Sequence, residues 1–160
     1  MKLSILIPVH NAENFIERCL NSLIAQDIDE NEYEILVYND GSTDNSLELI
    51  RNYSKQHSNI VVYTHENQGV IITRNKLQKL ARGVYIYFLD ADDYVAFNSL
   101  GKTLEFAINN KIDIVGFDAL VTSDKNLFDL DNKHIEINTQ KIVSGAEYLA
   151  ENNNIRVEIW

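Results

Sequence analysis

Cysteine, proline, methionine and tryptophan each occur once in this chain of 160 residues, and glycine occurs six times. The lone Cys19 excludes a disulfide framework, and its place within an apolar helical pattern reads as a small core residue rather than a nucleophile. Such cysteine usage fits a cytoplasmic protein. With so little proline and glycine there is no linker to divide the chain, and no repeat or low-complexity tract does so either. No run approaches the ~18 apolar residues that crossing a membrane requires. Positive charge is scarce too: 14 Lys and Arg stand against 24 Asp and Glu, a formal net charge of -10. That balance argues against nucleic acid or an anionic membrane surface as a non-specific partner. A phosphate-bearing ligand would need local help from a divalent cation, a few placed basic residues or helix N-termini.

What is present is a globular composition, 45% hydrophobic and 24% charged, enough for one domain with a proper core. Strand-like and helix-like segments alternate through residue 117. Strands are expected at 3–9, where Pro8 marks the end, at 33–38, at 60–63, at 85–89 and at 112–117. The run at 85–89, continuous in aromatic and β-branched residues, reads as a central strand covered on both faces. Helices are expected from an Asn11 N-cap to about Gln26, after Asp44, from 70 to 81 with Gly83 as a left-handed C-cap, and from 98 to 110. This alternation predicts an α/β fold, a three-layer sandwich with a mostly parallel central sheet. Further on, 120–121 and 135–137 could pair as a hairpin, and Ser144 to Glu147 form a capping box before a short helix. The chain stops on Val157-Glu158-Ile159-Trp160, which reads as truncation, and the apolar Ile155, Val157, Ile159 and Trp160 suggest an edge for self-association.

The chemistry concentrates after strand 85–89, at Asp90-Ala91-Asp92-Asp93. Three carboxylates within four residues repel one another unless a cation or a hydrogen-bond network takes up the charge, and hard divalent metals prefer oxygen ligands. A solvated acidic turn capping the next helix is the plainer alternative. Open α/β sheets bind ligands beyond the carboxyl ends of their strands. Four such ends carry His10-Asn11, Asn39-Asp40-Gly41, His65-Glu66 and Asp90 to Asp92, and Arg74, near the first turn of the third helix, is placed to point toward the same edge. His10 and His65, without matching Cys or Glu spacing, make no zinc site.

Ser4-Ile-Leu-Ile-Pro-Val-His-Asn-Ala-Glu13, Asn39-Asp-Gly-Ser-Thr-Asp44, Glu66-Asn-Gln-Gly69 with Thr73-Arg-Asn75, and Phe88-Leu-Asp-Ala-Asp-Asp93 together resemble, in order and spacing, the family 2 glycosyltransferases. Four motifs in order are more specific than one acidic tripeptide. The likeness is close over residues 3 to 95 and looser over 96 to 160. It implies a GT-A (nucleotide-diphospho-sugar transferase) type of fold, with residues 1–117 as the donor-binding region and 118–160 as the start of the acceptor side, within one structural domain. It also implies an inverting enzyme that takes a nucleotide sugar, UDP-linked, and passes the sugar to a glycan or lipid-linked acceptor in bacterial polysaccharide synthesis. By the same resemblance, the backbone around Pro8 and the carboxylate of Asp40 hold the nucleotide base, and Asn11 counts among the nucleotide-sugar-binding residues. Asp90 and Ala91 lie against the ribose or sugar, Arg74 lies near the diphosphate or the donor sugar, and Asp92 binds Mn²⁺ or Mg²⁺. Asn39, His10, Thr73 and Leu77 stand where the family usually has Asp, Tyr, Ala and Gly. No match to the family's catalytic base occurs before Trp160, so the base is expected beyond it, and peripheral association with the inner face of the membrane is expected only through regions outside this chain. Two other readings remain: a catalytically silent nucleotide-sugar-binding domain, and a nucleotidyltransferase. The latter would be expected to carry a Gly-rich basic loop where this chain has Pro8-Val9-His10-Asn11-Ala12.

Overall fold

The computed structural model describes residues 1–116. Its elements run β1 (Leu3–Val9), α1 (Ile16–Ile24), β2 (Tyr33–Asp40), α2 (Ser46–Gln56), β3 (Ile60–His65), α3 (Val70–Leu80), β4 (Tyr85–Phe88) and α4 (Leu100–Asn110). The four strands form a parallel sheet in the order β3-β2-β1-β4. Alternation along the strands sorts the side chains onto two faces. Leu3, Ile5, Ile7 and Val9 of β1 join Tyr33, Ile35 and Val37 of β2 in a core with Ile16, Cys19, Leu20 and Leu23 of α1, Ile50 of α2, and Leu100 and Leu104 of α4. On the opposite face Leu6 and Leu36 pack on Leu77 of α3, flanked by Tyr38, Val61, Tyr63 and Phe88. Helices thus lie on both faces of a parallel sheet, as the alternation predicts. Among the described residues no helix is long and apolar enough to cross a membrane.

Several expectations need correction. Among the described residues the strand after Gly83, β4, lies at the edge of the sheet, four residues long with Ile86 41% exposed. The buried centre is β1 and β2, β1 being buried at every position. β1 does end next to Pro8, at Val9 as expected, and Pro8 still pairs in register with Tyr38. The Lys2 and Leu6 carbonyls accept the Tyr85 and Leu89 N–H groups, so these even-numbered backbone groups of β1 face β4. Pairing with β4 stops at Leu6 and Phe88, so the missing N–H of Pro8 falls where there is no ladder bond to lose. Asn11 caps no helix. It adopts φ 51°, and α1 begins five residues later at Ile16. Residues 112–116 carry no strand. The expected 120–137 hairpin, the helix after Ser144 and the apolar edge at 155–160 lie outside the described residues.

Gly83 is no left-handed C-cap either, since α3 ends at Ala81 in extended conformation and Gly83 is not among the positive-φ glycines. Its role is to let the chain press against β1. The Ser4 hydroxyl accepts the Arg82 and Gly83 N–H groups at 3.1 and 2.8 Å and donates to Glu34 at 2.6 Å. Glu34, 1% exposed, also accepts from the Arg82 N–H at 2.8 Å and from its guanidinium at 2.9 and 2.6 Å. Burial alone would raise the Glu34 carboxyl, but the Arg82 side chain, the Ser4 hydroxyl and the Arg82 N–H outweigh it and hold it below the usual carboxylate range. A carboxyl lowered on folding stabilises the fold above its unfolded pKa, and that contribution fades as pH falls through the folded value. Glu34→Gln is expected to lower stability at neutral pH by about 2 kcal/mol, the worth of hydrogen bonds to a charged group. It should also flatten the acid limb of the stability–pH curve; urea melts of both proteins across pH 3–7 would show it, and parallel curves would refute it.

Candidate active site

The acidic turn is built by the core beneath it. The Leu89 N–H donates to the Leu6 carbonyl at 3.1 Å, and the Asp93 N–H closes a turn on the Asp90 carbonyl at 3.1 Å. Leu89 and Ala91 bury their side chains, at 5% and 7% exposure, while Asp90 between them and Asp92 and Asp93 after them are exposed. One oxygen from each of Asp90, Asp92 and Asp93 lies within 4.8 Å of the others, and all three residues are exposed. Asp93 holds its proton above the ordinary carboxylate range, through burial first and then the charges of Asp92 and Asp90, with Arg18 opposing. An oxygen-only set of like charges suits a hard divalent cation. Cys19 lies behind this turn, and burial first, then the Asp93 and Asp92 charges, push its thiol up to about 12. It is the inert core residue expected.

Arg74 reaches the same place from α3, its Nη2 2.6 Å from Asp90 Oδ1. The Arg74 side chain is 17% exposed against 50% for that of Asp90, so the arginine is the more fixed member of the pair.

Asp40, at the end of β2, is 3% exposed. Its two oxygens accept the Gln68 and Gly69 N–H groups at 2.7 and 3.0 Å, which sets a carboxylate on the turn at the N-terminus of α3 where the helix dipole favours it. Gly69 adopts φ 89°, and a Cβ on Gly41 would lie 2.5 Å from the Asn67 nitrogen, so both glycines are needed for this turn to meet β2. His65, beside Asp40 in the sheet register, places Nε2 3.2 Å from Asp40 Oδ1 and 3.2 Å from the Thr73 hydroxyl. Its Nδ1 lies 3.0 Å from Lys76 Nζ, which also donates to Gln68 Oε1 at 2.8 Å. An ammonium only donates, so Nδ1 accepts and the His65 proton sits on Nε2. Asp40, Gln68, Lys76 and His65 therefore form a closed ring of polar contacts around the start of α3, the helix that carries Arg74.

The remaining expected residues knit the neighbouring turns. Asn11 Oδ1 accepts the Thr43 N–H at 2.8 Å, and its own N–H donates to Ser42 Oγ at 3.0 Å. His10 Nδ1 donates to the Asp40 carbonyl at 2.7 Å. Asn45, not the expected Asp44, is the N-cap of α2; Asp44, one residue earlier, accepts the Ser46 N–H on Oδ1 at 3.0 Å and the Glu13 N–H on Oδ2 at 3.0 Å. Asn39 is buried, its amide donating to the Thr64 hydroxyl at 3.1 Å, so it presents no ligand group at the edge. Pro8 is buried within β1. The structure thus joins Arg74 to the acids of the β4 turn, and Asp40 to the turn that starts α3; the Asp40 carboxylate spends most of its acceptor capacity on the protein itself. Sequence reasoning missed Lys76 and Arg18. Lys76 is three residues from Thr73 on the inner side of α3, and Arg18 heads a polar series at every fourth residue; either spacing was readable.

A parallel, two-faced α/β sheet with an acidic turn and an arginine at its carboxyl edge defines a domain of the GT-A, nucleotide-diphospho-sugar transferase type. The chain belongs to glycosyl transferase family 2, whose model matches residues 4–158. It is 41% identical over 116 residues to the poly(ribitol-phosphate) beta-glucosyltransferase of Bacillus spizizenii, covering 71% of this chain and 18% of that protein. It is 42% identical over 113 residues to the uncharacterized glycosyltransferase EpsJ of Bacillus subtilis, covering 71% of this chain and 32% of that one. The crystal structure of S. aureus TarS 1-349 in complex with UDP-GlcNAc superposes with a TM-score of 0.66 at 34% identity, over 69% of this chain and 32% of that one. The chain thus spans a third or less of the length of these relatives.

Proposed function

We propose that this chain is the donor-binding part of a metal-dependent, inverting glycosyltransferase that uses a UDP-linked sugar. The observation that carries the reading is the convergence of Asp90, Asp92 and Asp93 within 4.8 Å, with Arg74 on Asp90 at 2.6 Å. Transfer breaks the bond between the sugar's anomeric carbon and the diphosphate, and negative charge gathers on the departing group. Asp92, with Asp90 and Asp93 beside it, would hold Mn²⁺ or Mg²⁺, which when bound supplies Lewis-acid stabilisation of that charge. Arg74 adds a fixed guanidinium suited to phosphate oxygens. The Asp40 ring orients the start of α3, while Pro8, Asn11 and the Asp40 backbone border the place for the nucleotide base and Ala91 underlies the sugar side. UDP as the nucleotide is supported by the UDP complex of TarS, a protein 34% identical to this one. A glycan or lipid-linked acceptor in polysaccharide synthesis is supported by the relative named a poly(ribitol-phosphate) beta-glucosyltransferase. No described residue is assigned as the base that inversion requires.

Calorimetric titration of UDP into this chain, with and without Mn²⁺, tests the reading. Binding is expected only with the metal, and metal-independent binding would remove the acidic turn from the site. Arg74→Met is expected to divide the two ligands: UDP binding weakens about tenfold, the worth of one charge-assisted contact, while Mn²⁺ alone binds no more weakly because a competitor for Asp90 is gone. Loss of both together would show that Arg74 serves only to hold the fold.

A further inference from the structure

Between β4 and α4 the chain from residue 89 to 99 has neither helix nor strand, yet this segment carries the acidic turn. Its backbone finds partners on one side of α1 and the turn that follows it. Arg18 Nη2 donates to the Asp92 carbonyl at 3.0 Å, and the guanidinium lies 4.6 Å above the centre of the Tyr94 ring. One helical turn on, Ser22 Oγ accepts the Val95 N–H at 3.1 Å. One turn further, Gln26 Nε2 donates to the Ala96 carbonyl at 2.9 Å and Oε1 accepts the Ser99 and Leu100 N–H groups at 2.9 and 3.0 Å. The spacing of four puts these side chains in one row beside the buried apolar face of α1. That face is rigid, with Ile16, Cys19, Leu20 and Leu23 at 0% exposure. The row therefore acts as a template that gives an otherwise irregular segment one path.

Arg18 stands at the end of the row nearest the acids. It holds the backbone of Asp92, not its carboxylate, and its stacking on Tyr94 fixes the chain just beyond the turn. A carbonyl anchored at the residue that supplies a ligand restricts where that ligand can point, as outer-shell groups do in metal sites. We propose that Arg18 is a positioning residue for the metal turn, fixing Asp92 through its carbonyl so that the Asp92 carboxylate faces the cation. This rests on the reading of Asp92 as a metal ligand.

The sign of one measurement separates positioning from simple charge. Arg18 is a cation beside an anionic cluster, so as a mere charge it opposes Mn²⁺, and removing it should tighten binding. As a positioning group its removal should weaken binding. Free Mn²⁺ is followed by electron paramagnetic resonance as the metal alone is titrated into the full chain, with thermal melts recorded alongside. Arg18→Met is expected to bind Mn²⁺ about tenfold more weakly, the scale of outer-shell losses. Arg18→Lys, which keeps the charge but loses the planar fork, is expected to fall between it and the unaltered chain. Equal or tighter binding by folded Arg18→Met overturns the proposal while leaving the metal site intact. If Arg18→Met does not fold, Arg18→Lys decides alone: weaker binding supports positioning, and unchanged binding overturns it. If the unaltered chain binds no Mn²⁺, the metal reading itself has failed and this inference falls with it.

Discussion

Asp92→Asn is expected to weaken Mn²⁺-dependent binding of UDP by roughly a hundredfold or more, because loss of a ligand should exceed the losses seen for outer-shell groups. The substitution keeps the size of the side chain and one carbonyl oxygen, and removes only the charge. The turn is made by backbone and by the buried Leu89 and Ala91, with Asp92 contributing its carbonyl to Arg18, so none of its supports is lost. Removing one of three crowded like charges relieves repulsion, so the melting temperature should hold or rise slightly while binding collapses. That opposition identifies a functional carboxylate, since a merely structural one would lose stability as well. Calorimetry with UDP and Mn²⁺ reads the binding, and Asp29→Asn, an exposed acid near the other end of the sheet, serves as the control expected to leave that binding unchanged. Retained metal-dependent binding in Asp92→Asn would transfer the ligand role elsewhere in the turn.

The two-faced α/β sheet and the acidic edge were legible in the sequence because apolar runs, turn chemistry and helical periodicity each report on neighbouring residues. What remained hidden depends on partners far along the chain. Strand order is one case: the aromatic run of β4 looks as central as β1, and among the described residues only the pairing of β1 with both β2 and β4 shows which has a strand on each side. Asn11 is another. Locally it suits an N-cap, but its side chain is taken by the Thr43 N–H, 32 residues away, and a tertiary bond overrides the local preference. Asp40 was recognisable as an edge acid, whereas its grip on Gln68 and Gly69 required knowing that β3 returns alongside β2. Arg18 was legible as part of a spacing and illegible as a contact with Asp92, 74 residues on.

Gly83→Ala is expected to be strongly destabilising, and the reason lies in the same long-range closure. An added Cβ would sit 2.4 Å from the Ser4 nitrogen, 2.6 Å from the Leu3 carbonyl carbon and 2.7 Å from the Tyr85 oxygen. All three are backbone atoms, so no side chain can turn aside. Leu3 and Ser4 belong to β1, held by β2 on one side and β4 on the other, so β1 cannot retreat; the 82–84 connection must lift instead. Lifting it breaks the Gly83 and Arg82 N–H bonds to Ser4 and draws Arg82 away from the buried Glu34. Overpacking against rigid backbone together with that loss should cost about 3 kcal/mol or more, a large fraction of the ~5–15 kcal/mol that holds a domain folded. Thermal melts should show a drop of roughly 10 °C in Tm, taking about 3 °C per kcal/mol for a domain near this size. Because β4 carries the acidic turn, Mn²⁺ binding should weaken in the same variant at temperatures where it is still folded. A Gly83→Ala protein as stable as the parent would mean that the α3–β4 connection is not clamped to β1, and that the acidic turn takes its position from α1 alone.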